Sequence, residues 1–400
     1  MTDEPNQSCQ VPGATGQTEG GDGTASSSES SPLKALPPSG LAFWRADPVH
    51  RMALIILWQK CILTALLLVA PFLMPQFFKS TSSFERRFNH WDSEHYLNLA
   101  RDGYTAGTGL CAFYPLWPIC IRIGTFLTGG DYILSGYLLG NTFSLVGFLL
   151  FFRLVWERHG LEVANRATVI FLLFPGSIFF FFPYTESLFL LVLMILLVCL
   201  SHAHHKGAAF AAFLLPMARA IGIFILPFIM WELWRKKAPF RNYWICVMPL
   251  LGYALYFAIM HFQTGNALEG FQAQKQFPAQ PSIARIADPM GFLERFAEVS
   301  WEHNSLRSWV DRLFFLIFIY SLYAIFRMDS GYGIYAICSG LIPALSNILM
   351  SYSRFVCLVF PLFIVFGMFM RRRLFWLFCV ACAVVQFIFL FRMLIGRWVA

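Results

Sequence analysis

Apolar side chains run along this chain in long blocks, and polar residues are confined to short stretches between them. Blocks near the roughly 20 residues that a helix needs to cross a bilayer lie at Ala53–Met74, Tyr132–Val155, Ala167–Phe182, Thr185–Leu200, Tyr243–Phe262, Val310–Phe326, Gly333–Met350, Phe355–Met370 and Leu374–Leu394. Two further segments do not read as single crossings. Phe113–Leu127 is short, is punctuated by Pro115 and Pro118 and carries Arg122, so it predicts an interfacial or re-entrant helix. Ala208–Trp234 is too long for one span and is interrupted by Pro216, Arg219 and Gly222, so it predicts two short helices meeting near Arg219. The expected fold is an all-α polytopic membrane protein with about 11 transmembrane helices.

Positive charge orients those spans. With Phe113–Leu127 not crossing and Ala208–Trp234 crossing twice, Arg153 and Arg158, Lys206, Arg235–Lys237, Arg327 and Arg371–Arg373 all fall on the cytoplasmic side. Reversing either choice alone breaks that pattern. Residues 1–45 are rich in Gly, Ser, Thr and Pro and predict a disordered cytoplasmic tail. No basic n-region precedes that tail and the first apolar block begins only near Ala53, so it is expected to be an uncleaved anchor, with Arg45, His50 and Arg51 flanking it. Residues 46–400 then form one multi-span domain, with outer loops at 75–131 and 263–308.

Composition agrees with this class. Hydrophobic residues make up 58% of the 400, charged residues only 13%, and Phe occurs 44 times, more than a soluble core requires. The net charge of +8 would suggest nucleic acid in a soluble chain. Here the basic residues sit beside apolar blocks, so no nucleic-acid partner is expected and membrane lipids are. Cys379 and Cys382 form a C-x-x-C inside a continuous apolar segment, without the basic neighbours that activate a thiol, and read as small hydrophobes. His202, His204 and His205 stand beside Lys206 on the cytoplasmic side and read as a solvated loop, not a metal tract.

The same orientation sends the chemistry-bearing residues to the opposite face. The Trp91–Asp92 loop, Tyr184–Ser187, the break at Arg219, the loop containing Gln272 and Gln274, and Ser351–Arg354 all fall on the outer side. Helix ends and loops converging there would line a polar cavity facing away from the cytoplasm. Asp92 and Glu94 are the leading acid/base candidates, since transfer of a group to an alcohol needs a carboxylate to take the hydroxyl proton. Their spacing keeps them off one helix face, so one of the two reaches the reacting atoms. The competing reading makes Asp92 the N-cap of a surface helix. Asp102 reads as a turn residue before Gly103. Arg219 and Arg354 end apolar helices, where a guanidinium either holds a phosphate bidentately or snorkels to the interface. Glu186 opens a helix, where it meets a sugar hydroxyl, a divalent metal or only the helix N-terminus. Trp301–Asn304 lie in the second outer loop and are compatible with an acceptor site or a surface helix.

His90–Tyr96 continuing through Ala100–Tyr104, followed by Phe113–Pro118, resembles the first luminal loop of the GPI mannosyltransferase 2 (PIG-V type) family. Phe174–Ser177, Tyr184–Phe189, Ala218–Gly222 and Ser353–Phe355 are similar to that family's later motifs, in order, so the resemblance covers roughly residues 50–370. Ala220–Ile221 stand where a polar residue before Gly222 is expected. The resemblance implies a GT-C-like bundle and an enzyme that takes mannose from a polyprenyl- or dolichyl-phosphate donor on the non-cytoplasmic face. The acceptor would be lipid-linked or a protein. It further implies that Asp92 is the general base of a single inverting displacement, with Arg219 or Arg354 stabilising the departing phosphate. Trp91, Glu94, His95, Tyr96, Tyr184, Glu186, Gln272 and Gln274 are the expected substrate-binding side chains. Glu94, His95 and Glu186 would position the sugar or a divalent ion; no cofactor is otherwise implied.

The alternatives are a transporter or flippase of a lipid-linked substrate and a catalytically inert membrane subunit. Against transport, the two halves show no internal repeat and the polar motifs gather on one face instead of near the midplane. The chain length and low-complexity tail lean toward a bacterial cytoplasmic membrane, and the loop motif toward the endoplasmic reticulum.

Overall fold

The computed structural model describes residues 47–73, 75, 88–277, 280–300, 306–346 and 349–399. The expected tail at 1–45 and Trp301–Asn304 lie outside them. Among the described residues the fold is helical and carries no strand. Five helices are long and apolar enough to cross a membrane: Pro48–Ala70, Tyr132–His159, Phe240–Thr264, Trp309–Met328 and Arg372–Leu394. The protein is therefore a multi-pass membrane protein.

Uninterrupted spans do not reach the expected count of about 11, because proline breaks several of the apolar blocks. The block at Ala167–Phe182 is a helix only to Leu173. Phe174 is extended at ψ 136°, as the residue before Pro175 tends to be, and a 3-10 turn follows over Pro175–Phe180. The block at Gly333–Met350 contains a π-helical turn at Ile337–Leu341, just before Pro343, whose missing N–H cannot continue the α ladder. Phe355–Met370 divides into Tyr352–Cys357 and Phe360–Phe369, with Pro361 opening the second helix. The break expected at Arg219 is present: His205–Ala218 ends there, Arg219 is extended at φ −155° and ψ 151°, and Leu226–Arg235 follows a 3-10 turn.

These interrupted helices form the centre. Phe360–Phe369 packs on Leu161–Leu173, Glu186–Ser201 packs on Tyr132–His159 and His205–Ala218, and nearly every side chain of Phe360–Gly367 is buried. A helix that is apolar all round belongs in such an interior. The long helices surround it, and Trp58, Leu377 and Val380 point outward from them, as lipid-facing side chains do. Lys60, buried in the first span, donates to Asn141, Ser144 and the Phe180 carbonyl, which ties an outer helix to the central 3-10 turn. Leu116–Gly124, at 9 residues, is too short to cross. It buries Trp117 and Ile121 while exposing Ile119 and Ile123, the pattern of an interfacial helix.

Candidate functional site

The Asp92–Asp102 helix opens the site. Its N-cap is Trp91, and no side chain caps it, so Asp92 is the first helical residue and its carboxylate turns elsewhere. Trp91 adopts φ +47°, a conformation costing about 1–3 kcal/mol in an L-residue. That backbone turn aims Asp92 inward, and Asp92 Oδ2 accepts from Arg354 Nη1 at 2.6 Å.

Arg354 reaches the cluster from Tyr352–Cys357, a helix that follows Ser351 in the left-handed region at φ +59°. Its Nε and Nη2 donate to Glu186 Oε1 at 2.9 and 2.7 Å. Arg219 Nη1 donates to the same oxygen at 2.5 Å. Two guanidiniums thus meet two carboxylates, and their formal charges cancel. Glu186 is 0% exposed, Arg354 7%, Arg219 11% and Asp92 28%, so the cluster is buried at Glu186 and open at Asp92. Charges at this depth need such partners, because desolvation of an unpaired ion would cost several kcal/mol.

Aromatic rings complete the walls. The Arg354 guanidinium lies 4.8 Å from the Tyr184 ring centre and 4.9 Å from that of Phe179, and Arg219 lies 5.2 Å from that of Phe355. The Tyr184 hydroxyl donates to the His90 carbonyl at 2.8 Å, joining the Tyr184–Glu186 turn to the Trp91–Asp92 turn. Tyr96, one helical turn beyond Asp92, faces the cluster, and burial holds its phenol well above the ordinary tyrosine range. Burial pushes the His90 imidazole down to about 4, and its Nε2 has no hydrogen-bond partner.

Two glycines allow these turns to close. A Cβ on Gly176 would lie 2.0 Å from the Ser353 carbonyl oxygen, so the Phe174–Ser177 motif abuts the backbone that carries Arg354. A Cβ on Gly222 would lie 2.2 Å from the Leu215 carbonyl, so the turn after Arg219 folds back on the preceding helix end. Gly222 therefore serves the backbone of the break, whatever residue precedes it.

Residues 49–237 match the family described as Mannosyltransferase (PIG-V). The match supports a PIG-V type mannosyltransferase, hence a glycosyltransferase. It spans Asp92, Tyr184, Glu186 and Arg219 and ends before Arg354, which completes the charge cluster. No curated protein matches the chain.

Of the expected site residues, Asp92, Tyr96, Tyr184, Glu186, Arg219 and Arg354 come together in this cluster, with Trp91 at its edge. Glu94 is exposed on the other side of its helix turn. His95 lies against Phe113 and Phe277, with ring centres 4.9 and 6.2 Å away. Gln274 donates to the Ala112 carbonyl and ties the 263–277 segment to the one around Ala112, and Gln272 is exposed. Among the described residues no group of three or more His, Cys, Asp or Glu is placed to hold a metal.

Asp311 is absent from the sequence-derived set and belongs beside it. It is fully buried in the first turn of Trp309–Met328, and its Oδ1 accepts from the Ser353 N–H at 2.7 Å, one residue from Arg354. A lone acid at the start of a predicted span, three residues after Ser308, was the available signal. It reads equally as helix capping, and Ser308 does accept from the Asp311 N–H.

Proposed function

We propose that this protein transfers a mannosyl group from a polyprenyl- or dolichyl-phosphate donor to a hydroxyl of a lipid-linked or protein acceptor, on the non-cytoplasmic face. The observation that carries the reading is the asymmetry of the two carboxylates. Glu186 is sealed between guanidiniums, whereas Asp92 is held by one oxygen and is partly open. A group-transfer base must be both fixed and accessible.

In this reading Arg354 fixes Asp92 Oδ2 and leaves Oδ1 for the acceptor hydroxyl. The acceptor oxygen attacks the anomeric carbon as its proton passes to Asp92, and the carbon–oxygen bond to the donor phosphate breaks with inversion. The departing phosphate keeps the electron pair. Arg354 is committed to carboxylates on both edges, so its part is to position Asp92. Arg219 spends one nitrogen on Glu186 and faces the charge growing on the phosphate. Trp91, at the edge of the site, supplies an apolar face for the sugar, while the buried Tyr96 and Tyr184 wall the cluster behind it.

The test is transfer of labelled mannose from polyprenyl-phosphate mannose by the purified protein, with membrane lipid extract as acceptor. Asp92→Asn is expected to abolish transfer, with protein yield and melting temperature retained. Activity surviving in that variant removes the base assignment, and an inactive parent across several lipid-phosphate sugars removes the transferase reading.

A further inference from the structure

Glu186–Ser201 starts at the charge cluster and runs for 16 residues, and His205–Ala218 returns to Arg219. The turn between them therefore lies about 24 Å from Glu186, most of a bilayer's hydrocarbon thickness away. At that turn a pocket of about 580 Å³ has His204, His205, Lys206, Arg241, Asn242 and Trp244 among its walls. The first three come from the turn and the helix it opens, the last three from the 3-10 stretch Phe240–Val247. His205 Nε2 and Asn242 Nδ2 lie 3.1 Å apart and join the two walls, so that Lys206 and Arg241, one from each, are held around the same space.

The charge of this pocket is of one sign. Lys206 and Arg241 are exposed, neither forms an ion pair or hydrogen bond through its side chain with a described residue, and no described acid lines the space. Glu157 reaches His202 of the same turn, but it is taken up by Arg153 at 2.9 Å. The His205–Ala218 helix begins in the pocket with no side-chain cap, and its first amide hydrogens add to the positive field. Depth then selects the kind of anion. Phe240–Thr264 is one of the helices able to cross a membrane, and its first turns form a wall of the pocket. Trp244 is 42% exposed, and Phe210 and Val247, about one turn further along the two walls, are 64% and 46% exposed. A tryptophan at the start of a span marks the headgroup level, and exposed apolar side chains just beyond it meet acyl chains.

We propose that this pocket binds the phosphate of an anionic phospholipid, in the leaflet opposite the candidate site. Arg241 offers a fork to two phosphate oxygens and Lys206 a point charge, while Phe210 and Val247 meet the lipid's acyl chains. A lipid seated there braces the hairpin whose other two ends carry Glu186 and Arg219. The inference does not depend on the transferase reading.

The experiment uses the full chain in phosphatidylcholine nanodiscs doped with a phosphatidylglycerol that carries a diazirine on its acyl chain, close to the glycerol. Photolabelling is expected on the peptides containing Phe210 and Val247. Raising the share of unlabelled phosphatidylglycerol should compete, whereas inorganic phosphate in the buffer should not. Lys206→Gln and Arg241→Gln should each weaken the preference for phosphatidylglycerol over phosphatidylcholine by about fivefold, and together by about thirtyfold. Lys206→Arg with Arg241→Lys should keep most of it, and Arg371→Gln, in a basic cluster outside the pocket, should leave it unchanged. All these positions are exposed, so the parental melting temperature is expected throughout. Labelling spread evenly over the spans, or a loss in Arg371→Gln equal to that in the pocket variants, overturns the proposal in favour of general attraction to a basic face. Competition by inorganic phosphate equal to that by the lipid overturns it in favour of a soluble anion, and parental labelling in both single variants overturns the assignment of the two cations.

Discussion

Replacing Glu186 by Gln tests whether the four charges act as one unit. The amide is isosteric with the carboxylate but neutral, so Arg354, 7% exposed, is left with Asp92 as its anionic partner, and Arg219, 11% exposed, loses the carboxylate it pairs with. Breaking a buried pair by neutralising one partner costs about 3–5 kcal/mol. The amide oxygen still accepts a hydrogen bond, which places the expectation at the low end, about 3 kcal/mol. Arg354→Met should cost a similar amount, because it leaves Glu186 to Arg219 alone and Asp92 unheld. The two losses share one interaction, so the double variant should fall short of their sum by about 2 kcal/mol. Melting temperatures of the purified proteins in one detergent provide the assay. Each single substitution should lower the midpoint by about 4 °C, and the double by clearly less than the two drops combined. Single shifts below about 1 °C, or strictly additive shifts, would refute a coupled cluster.

Gly176→Ala places a Cβ 2.0 Å from a backbone carbonyl and should cost at least about 3 kcal/mol, seen as lost yield of monodisperse protein; parental yield and melting would contradict the close approach. His90 titrates near 4 in the folded protein against 6.5 when unperturbed, so the unfolded chain binds more protons between those values. Stability is then flat above pH 6.5 and declines as pH falls toward 4, by on the order of 3 kcal/mol. A His90→Asn variant should lose that slope in a melting-temperature profile, and an unchanged slope would assign it to other groups. Asp311→Ala removes the acceptor for the Ser353 N–H and should lower the turnover of mannose transfer more than it raises KM for the donor; a pure KM effect would argue against a role in positioning Arg354.

Local signals carried the class of the protein and many of its breaks. Hydropathy sums over neighbouring residues, so blocks such as Tyr132–Val155 announce a membrane helix without reference to the rest of the chain. Pro216, Arg219 and Gly222 announce the break between His205–Ala218 and Leu226–Arg235 in the same local way. Pro175, Pro343 and Pro361 carried the same kind of signal in blocks that read as continuous by hydropathy alone, because a mean over the window hides a missing N–H. Whether a short apolar helix lies at the centre is decided by its neighbours, as Phe360–Phe369 shows, and not by its composition.

The motifs at Trp91–Asp92, Tyr184–Glu186, Arg219 and Ser353–Arg354 were each visible one at a time, and the expected topology put them on one face. Their pairing was not visible. Asp92 and Arg354 are 262 positions apart, and nothing near either one specifies a 2.6 Å contact. The sequence left Asp92 equally readable as a helix cap, and the φ of Trp91 together with the packing of Gly176 on Ser353 decided otherwise. Residue type and local pattern determine which groups are able to ionise and where helices stop. Only tertiary packing decides which charges meet, because a buried ion is tolerated solely where the fold brings it a partner.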